Sequence, residues 1–215
     1  MSDFKIPVYI INLKERIDRR IHIINEFRDK PEFEIFLFEA IRDNIGALGL
    51  WKSIRHIVEV AQNNEHDIII ICEDDHCFTE NYDSEALFNA LEQINHINAD
   101  MLLGGVSHFE DSVAFDNNLF WLSGFTGFQF VILYRRFYSR FLKLNLKKGD
   151  DVDLKMQSIS DMIFCIFPFI SIQKEFGYSD VTKKNEPYGV VKGYFEKSEH
   201  RLKTISFLKN HFDNY

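Results

Sequence analysis

Three adjacent carboxylates, Glu73, Asp74 and Asp75, close the run DIIIICEDD at residues 67–75. Ionised groups this close repel one another, and each raises the pKa of the next unless a cation neutralises them. A hard divalent cation with phosphate oxygens completing its shell is the simplest neutraliser. A solvated acidic loop after a core strand is the plain alternative, and the triplet alone does not choose. A second acidic cluster, Asp150, Asp151 and Asp153, lies in KKGDDVDL at 147–154. His76 directly follows the triplet, where a hydrogen-bonded neighbour is a commoner role than a ligand, and His108 follows Gly104 and Gly105 near another strand end.

The elements around these residues would bring them together. Ile68 to Cys72 is short, apolar and β-branched, which suits a strand buried on both faces in a parallel sheet. Such a strand delivers its terminal acids to the carboxyl edge, where ligands sit in open α/β folds. Pro7 to Asn12 reads as a first strand with proline tolerated at its entry. The next stretch, NLKERIDRRIHIINEF, places Ile17, Ile21 and Ile24 on one helical face and Arg16, Arg19 and Arg20 on others. Asn12 and the early arginines therefore belong at the same edge as the acids. An arginine there can fork onto a phosphate, or simply form the charged outer face of an amphipathic helix.

Phe33 to Ala40 reads as a second strand, Leu50 to Ala61 as a helix, Ser84 to Ile97 as another, and Ala99 to Gly105 as a strand. This β-α-β-α-β-α-β order predicts an α/β sandwich with a mainly parallel central sheet and helices on both faces. Residues 113–122 look irregular and aromatic, Phe128 to Tyr134 is a strand, Arg135 to Leu144 a helix, and Pro168 limits any strand in 162–169. The pair Gly46 and Gly49 is weak evidence for a phosphate cradle. From residue 183 the chain turns polar and ends in an amphipathic segment, Glu199 to Phe212, with Leu202, Ile205, Leu208 and Phe212 to one side. The chain thus divides into a domain at 1–182 and a linker with a helix at 183–215. Docking is the default for that helix, with a partner or a lipid surface as alternatives.

At 215 residues and 46% hydrophobic content, with 22 Phe, the chain can build one sizeable aromatic core. Its net charge of −8 and lack of a Lys/Arg block argue against a nucleic-acid partner. Cys72, Cys77 and Cys165 show no metal-ligand spacing and suit a reducing cytoplasm. The apolar run at the amino terminus is too short for a signal peptide, and nothing reads as a spanning helix. The expected location is cytoplasmic, with the carboxyl-terminal helix a candidate for peripheral contact at the inner face of a membrane.

Several stretches, in order, resemble glycosyltransferase family 25, the lipooligosaccharide β-galactosyltransferase and procollagen galactosyltransferase group. VYIINLKERIDRR at 8–20 is similar to the family's opening strand, Asn-Leu and Arg-x-Asp-Arg run. GALGLWKS at 46–53 resembles its Gly-x-x-Gly-x-x-x-Ser segment, and IIIICEDD its acidic strand end. FTGFQFVILYRRFYSRFL at 125–142 is similar to its Gly-Thr-x-x-Tyr segment and following helix. DVDL at 151–154 and YSDVT at 178–182 resemble its later acidic stretch and Ser-Asp-Ile ending. Leu50 and Ile54 stand where the family usually has Cys and His, and the segment between Ala40 and Gly46 is shorter than usual.

The resemblance implies a GT-A-like nucleotide-sugar-binding fold, a nucleotide-sugar donor, a glycan or lipid-linked glycan acceptor, Mn²⁺ or Mg²⁺, and inversion at the anomeric carbon. It places Asp75 first as metal ligand, with Asp74 and Asp180 as further ligands. Glu73, Asp74, Asn12, Arg16, Arg20 and Ser179 would contact the nucleotide sugar. Inversion needs a general base that is not itself a metal ligand. Asp153 is the candidate and Asp151 the runner-up, each also readable as a helix N-terminal acid. A catalytically degenerate scaffold that binds sugar or a protein partner is the competing reading.

Overall fold

The computed structural model describes residues 5–178, 185 and 187–212. The strand β1 (Ile6–Asn12) leads into α1 (Ile17–Glu26), β2 (Phe33–Glu39), α2 (Gly46–Asn63) and β3 (Ile68–Glu73). A short β4 (His76–Phe78) and α3 (Ser84–His96) precede β5 (Met101–Leu103), β6 (His108–Phe109), β7 (Ser112–Ala114), β8 (Leu119–Leu122) and β9 (Phe125–Thr126). Then come β10 (Phe130–Tyr134), α4 (Arg135–Phe141), α5 (Val152–Gln157), β11 (Ile163–Ile166), β12 (Ser171–Gln173) and α6 (Val190–Phe212).

The main sheet runs β2-β1-β3-β10-β5-β11-β8-β7. Following the pairings, β2, β1, β3, β5, β11 and β7 point one way and β10 and β8 the other, so the sheet is mainly parallel. The β10 strand sits antiparallel between β3 and β5. Period-two alternation sends Ile69 and Ile71 to one face and Ile70 and Cys72 to the other, and all four are buried. One face is covered by α2, α4, α5 and α6 through Ile54, Phe137, Met156 and Phe195. The other is covered by α1 and α3 through Ile23, Leu87 and Ile94.

Three sequence readings need correction. Residues 113–122 are not irregular throughout: β7 and β8 form an antiparallel pair that extends the sheet past β11. The C-terminal helix starts at Val190, not Glu199, because Val191, Phe195 and Leu202 provide a longer buried face. On α1 the isoleucine face points outward, with Ile17 63% and Ile21 58% exposed. The side that packs carries Arg19, Ile23 and Phe27, one residue per turn.

Helix α6 is docked by Leu202, which is fully buried, and by Arg201, which donates to the carbonyls of Phe109 (2.6 Å) and Glu110 (2.8 Å). Leu202→Ala is expected to cost about 2–5 kcal/mol in urea denaturation. A helix that merely lay on the surface would give almost no change.

Candidate active site

The β1 and β3 strands are parallel neighbours, with Ile11 opposite Glu73, so the turn carrying Asp74 and Asp75 comes out beside Asn12. The Asn12 amide donates from Nδ2 to Asp74 Oδ2 at 2.7 Å and to the Arg16 carbonyl at 3.2 Å. From α1, Arg19 Nη1 donates to Asp74 Oδ1 at 2.9 Å and to Asp75 Oδ2 at 3.2 Å, and Nη2 donates to the Tyr178 carbonyl at 2.9 Å. The Phe176 and Tyr178 rings cover the Arg19 guanidinium at 4.8 and 4.7 Å. Burial works against the charge on Arg19, but Asp75 and Asp74 outweigh it and raise its pKa.

The arginine that reaches the acids is therefore Arg19. Arg16 sits at the rim with its guanidinium 4.2 Å from the Tyr178 ring centre, and Arg20 is exposed. Both oxygens of Asp74 are held by Asn12 and Arg19, which makes Asp74 the residue that locks α1 to the strand end. Asp75 Oδ1 is buried and has no hydrogen-bond partner among the described residues. Burial pushes the Asp75 carboxyl up to about 6, Arg19 pulling it down and Asp74 pushing it further up. Glu73, whose Oε2 accepts from Gln173 Nε2 at 3.2 Å, is driven well above the usual carboxylate range by burial, then by Asp75, Asp153 and Asp74.

Asp153, on α5, is near enough to Glu73 to raise its pKa. Its Oδ2 accepts from the Gly127 N–H at 2.9 Å, and Gly127 holds a φ of +114° that side-chain-bearing residues rarely adopt. Burial pushes Asp153 up to about 7 against that hydrogen bond, with Asp151 adding to the rise. Asp151 is exposed and caps α5, its Oδ1 accepting from the Leu154 N–H at 3.1 Å. Ser179 and Asp180 lie outside the described residues.

Other residues singled out in the sequence are structural. Ser53 Oγ accepts from the Ile41 N–H at 2.8 Å and donates to the Gly49 carbonyl at 2.9 Å. A Cβ at Gly49 would lie 2.6 Å from the Ile41 carbonyl oxygen. The Gly-x-x-Gly-x-x-x-Ser segment thus clamps the short loop after β2, and Ile54 packs in the core. His76 is fully buried, its Nδ1 2.7 Å from Ser171 Oγ and its ring stacked on Phe130, so it belongs to the aromatic core.

His22, Glu26 and Cys77 bring three donor atoms within 4.8 Å of one another. His22 Nε2 already meets the His76 carbonyl at 2.9 Å and Glu26 Oε2 accepts from the Phe78 N–H. Lys174 Nζ lies 3.4 Å from His22 Nδ1 and supplies the positive charge there. The trio is a closed hydrogen-bonded cluster.

Asp75→Asn tests the strain in the acidic pocket. A carboxyl whose pKa rises on folding favours the folded state below its unfolded value near 3.8, and that contribution is lost as pH rises through about 6. At pH 7.5 in EDTA the variant is therefore expected to melt higher, by roughly 2–4 °C for each kcal/mol of relieved charge.

No protein-family model and no curated protein matches the chain. Its structure is similar to A197 from STIV, at 15% identity and TM-score 0.50, over 82% of this chain and 87% of that one. It is also similar to UDP-glucose pyrophosphorylase complexed with UDP-glucose, at 10% identity and TM-score 0.47, over 93% and 81% of the two chains. HddC from Yersinia pseudotuberculosis matches at 9% identity and TM-score 0.42, over 92% and 78%. At these identities the likeness concerns the fold.

Proposed function

We propose that the protein is an inverting, metal-dependent glycosyltransferase that moves a hexose, galactose from UDP-galactose, onto a cell-surface glycan or lipooligosaccharide precursor. The observation that carries this reading is the charge left over at the end of β3. Arg19 faces Asp74 and Asp75, while Glu73 and Asp153 add two more carboxyls to the same pocket. Among the described residues the one guanidinium paired with Asp74 and Asp75 does not balance four carboxyls, and Asp75 Oδ1 has no hydrogen-bond partner there. Hard carboxylate oxygens with surplus negative charge fit Mn²⁺ or Mg²⁺. Asp75 and Glu73 would hold the cation, with Asp180 a further candidate, and Asp74 would position them. Once bound, the cation supplies Lewis-acid charge for a departing nucleoside diphosphate.

In this reading Asn12, Arg16 and Ser179 frame the nucleotide, and Arg19 replaces Arg20 by fixing the acids. Asp153 is the general base. It takes the proton from an acceptor hydroxyl as that oxygen bonds to the anomeric carbon, while the bond to the diphosphate breaks on the opposite face. Support for the hexose donor comes from the resemblance to family 25. Support for an active enzyme over a degenerate scaffold comes from an acidic pocket that costs stability to maintain.

We place the protein in the cytoplasm. No helix among the described residues is long and apolar enough to cross a membrane. Phe207, Leu208 and Phe212, exposed near the end of α6, are where a lipid surface would be met.

Calorimetric titration with UDP, GDP and CMP, each in Mn²⁺ and in EDTA, tests the proposal. Metal-dependent binding of UDP alone is the expected result. Failure of the folded protein to bind any of the three would overturn it in favour of the scaffold.

A further inference from the structure

A cavity of about 330 Å³ opens between α6 and the short β6–β9 pair. Its lining includes Ser107, His108, Thr126, Tyr194, Lys197 and Arg201, with no carboxylate among the lining residues. The adjoining hollow, which shares Lys197 and Arg201, carries one carboxylate, Glu196. Arg201 is fixed: it donates to two backbone carbonyls, and its guanidinium lies 3.9 Å from the Phe109 ring centre. Lys197 is exposed, and no ion-pair partner is found for it among the described residues. Tyr194, 41% exposed, presents an aromatic ring to the same space. Ser107 Oγ and Thr126 Oγ1, 3.0 Å apart, add hydroxyls.

One wall of the groove is joined to the segment that holds the proposed base. Thr126 immediately precedes Gly127, whose N–H holds Asp153, and Ser107 packs against both: its N–H donates to the Thr126 carbonyl at 2.8 Å and lies 3.0 Å from where a Gly127 Cβ would be. On the far side, Ser198 Oγ donates to the Ser107 carbonyl at 2.9 Å, tying α6 to the same wall.

We infer that this groove is the acceptor subsite and that it takes a sugar unit bearing an anionic group. Aromatic faces pack on the C–H face of a pyranose, hydroxyls read ring hydroxyls, and an exposed lysine with no ion-pair partner among the described residues reads a phosphate or carboxylate. The volume lies at the low end of the roughly 300–1,000 Å³ usual for small-ligand sites, which suits a single substituted sugar. The inference rests on the transferase reading for the word acceptor, but the ligand chemistry is set by the groove itself.

The test is NMR titration of the full chain with glucose 6-phosphate, glucuronate, glucose and inorganic phosphate. UDP with Mn²⁺ serves as a separate control. One anionic sugar is expected to bind at least about tenfold more tightly than glucose or inorganic phosphate, and which one identifies the anion. Lys197→Gln should erase that preference, Tyr194→Ala should weaken every sugar, and neither should change UDP binding. Equal binding of charged and uncharged sugars, or an unaltered Lys197→Gln variant, would overturn the inference. Loss of UDP binding alone would instead overturn the transferase reading and leave the groove's ligand standing.

Discussion

Asp153→Asn is expected to reduce transfer by about 10²–10⁴-fold while UDP binding in Mn²⁺ stays as in the parent. The substitution keeps the shape of the side chain, and an amide oxygen can still accept the Gly127 N–H that Asp153 accepts at 2.9 Å. What it loses is the ability to take a proton. If Asp153 is the base, as proposed, the parent protein should show kcat/KM rising with pH through about 7, because burial holds the Asp153 proton on until then and only the ionised form is a base. The variant's residual rate should lack that rise. Asp151→Asn, at an exposed helix cap where asparagine caps about as well as aspartate, should change stability little and leave the pH profile unmoved. A steep loss of turnover in Asp151→Asn with an active Asp153→Asn would reverse the assignment.

Arg19→Ala is expected to be the most damaging single change for stability, about 3–5 kcal/mol in urea denaturation at pH 7.5. It strips the guanidinium from two buried carboxylates at once and removes the bond to the Tyr178 carbonyl. The dependence on pH identifies the cause. Without Arg19 the Asp75 carboxyl must rise above its value of about 6, so it is protonated as pH falls toward 6, the repulsion is relieved and the gap to the parent has narrowed by pH 5. Arg19→Lys keeps one charge but cannot serve both Asp74 and Tyr178 with a planar fork, so it should fall between the two. A loss that stayed constant from pH 5 to 8 would mean that packing under Phe176 and Tyr178, and not charge, is what Arg19 provides.

The acidic strand end was legible because its pattern is local. Five apolar residues followed by three acids can only be a core strand leaving the sheet, and period two then decides which carboxyl faces α1. Asn12 was legible for the same reason, as the last residue of a neighbouring parallel strand. Arg19 was missed because the isoleucines at 17, 21 and 24 outline a more hydrophobic stripe than the one that packs. Burying Arg19 is favourable only because Asp74 and Asp75 wait 55 and 56 residues away, and no local period reports that. The β7–β8 pair was missed for a related reason. Its strands are three and four residues long, and their pairing depends on the exposed edge of β11. The groove under α6 joins residues near 107, 126 and 197, so only the fold could show it.

The position of β10 has a consequence for how the chain is made. β3 and β5 flank it in the sheet, yet 56 residues, 74–129, separate the end of β3 from the start of β10. During synthesis the apolar strands Ile68–Glu73 and Met101–Leu103 emerge first, each with an edge that has nothing to pair with until residue 134 is out. Unpaired edges of this kind template association between chains. The growing chain therefore passes through a stage in which the strand that carries the site's acids is also its stickiest edge, and slower translation before residue 130 lengthens that exposure.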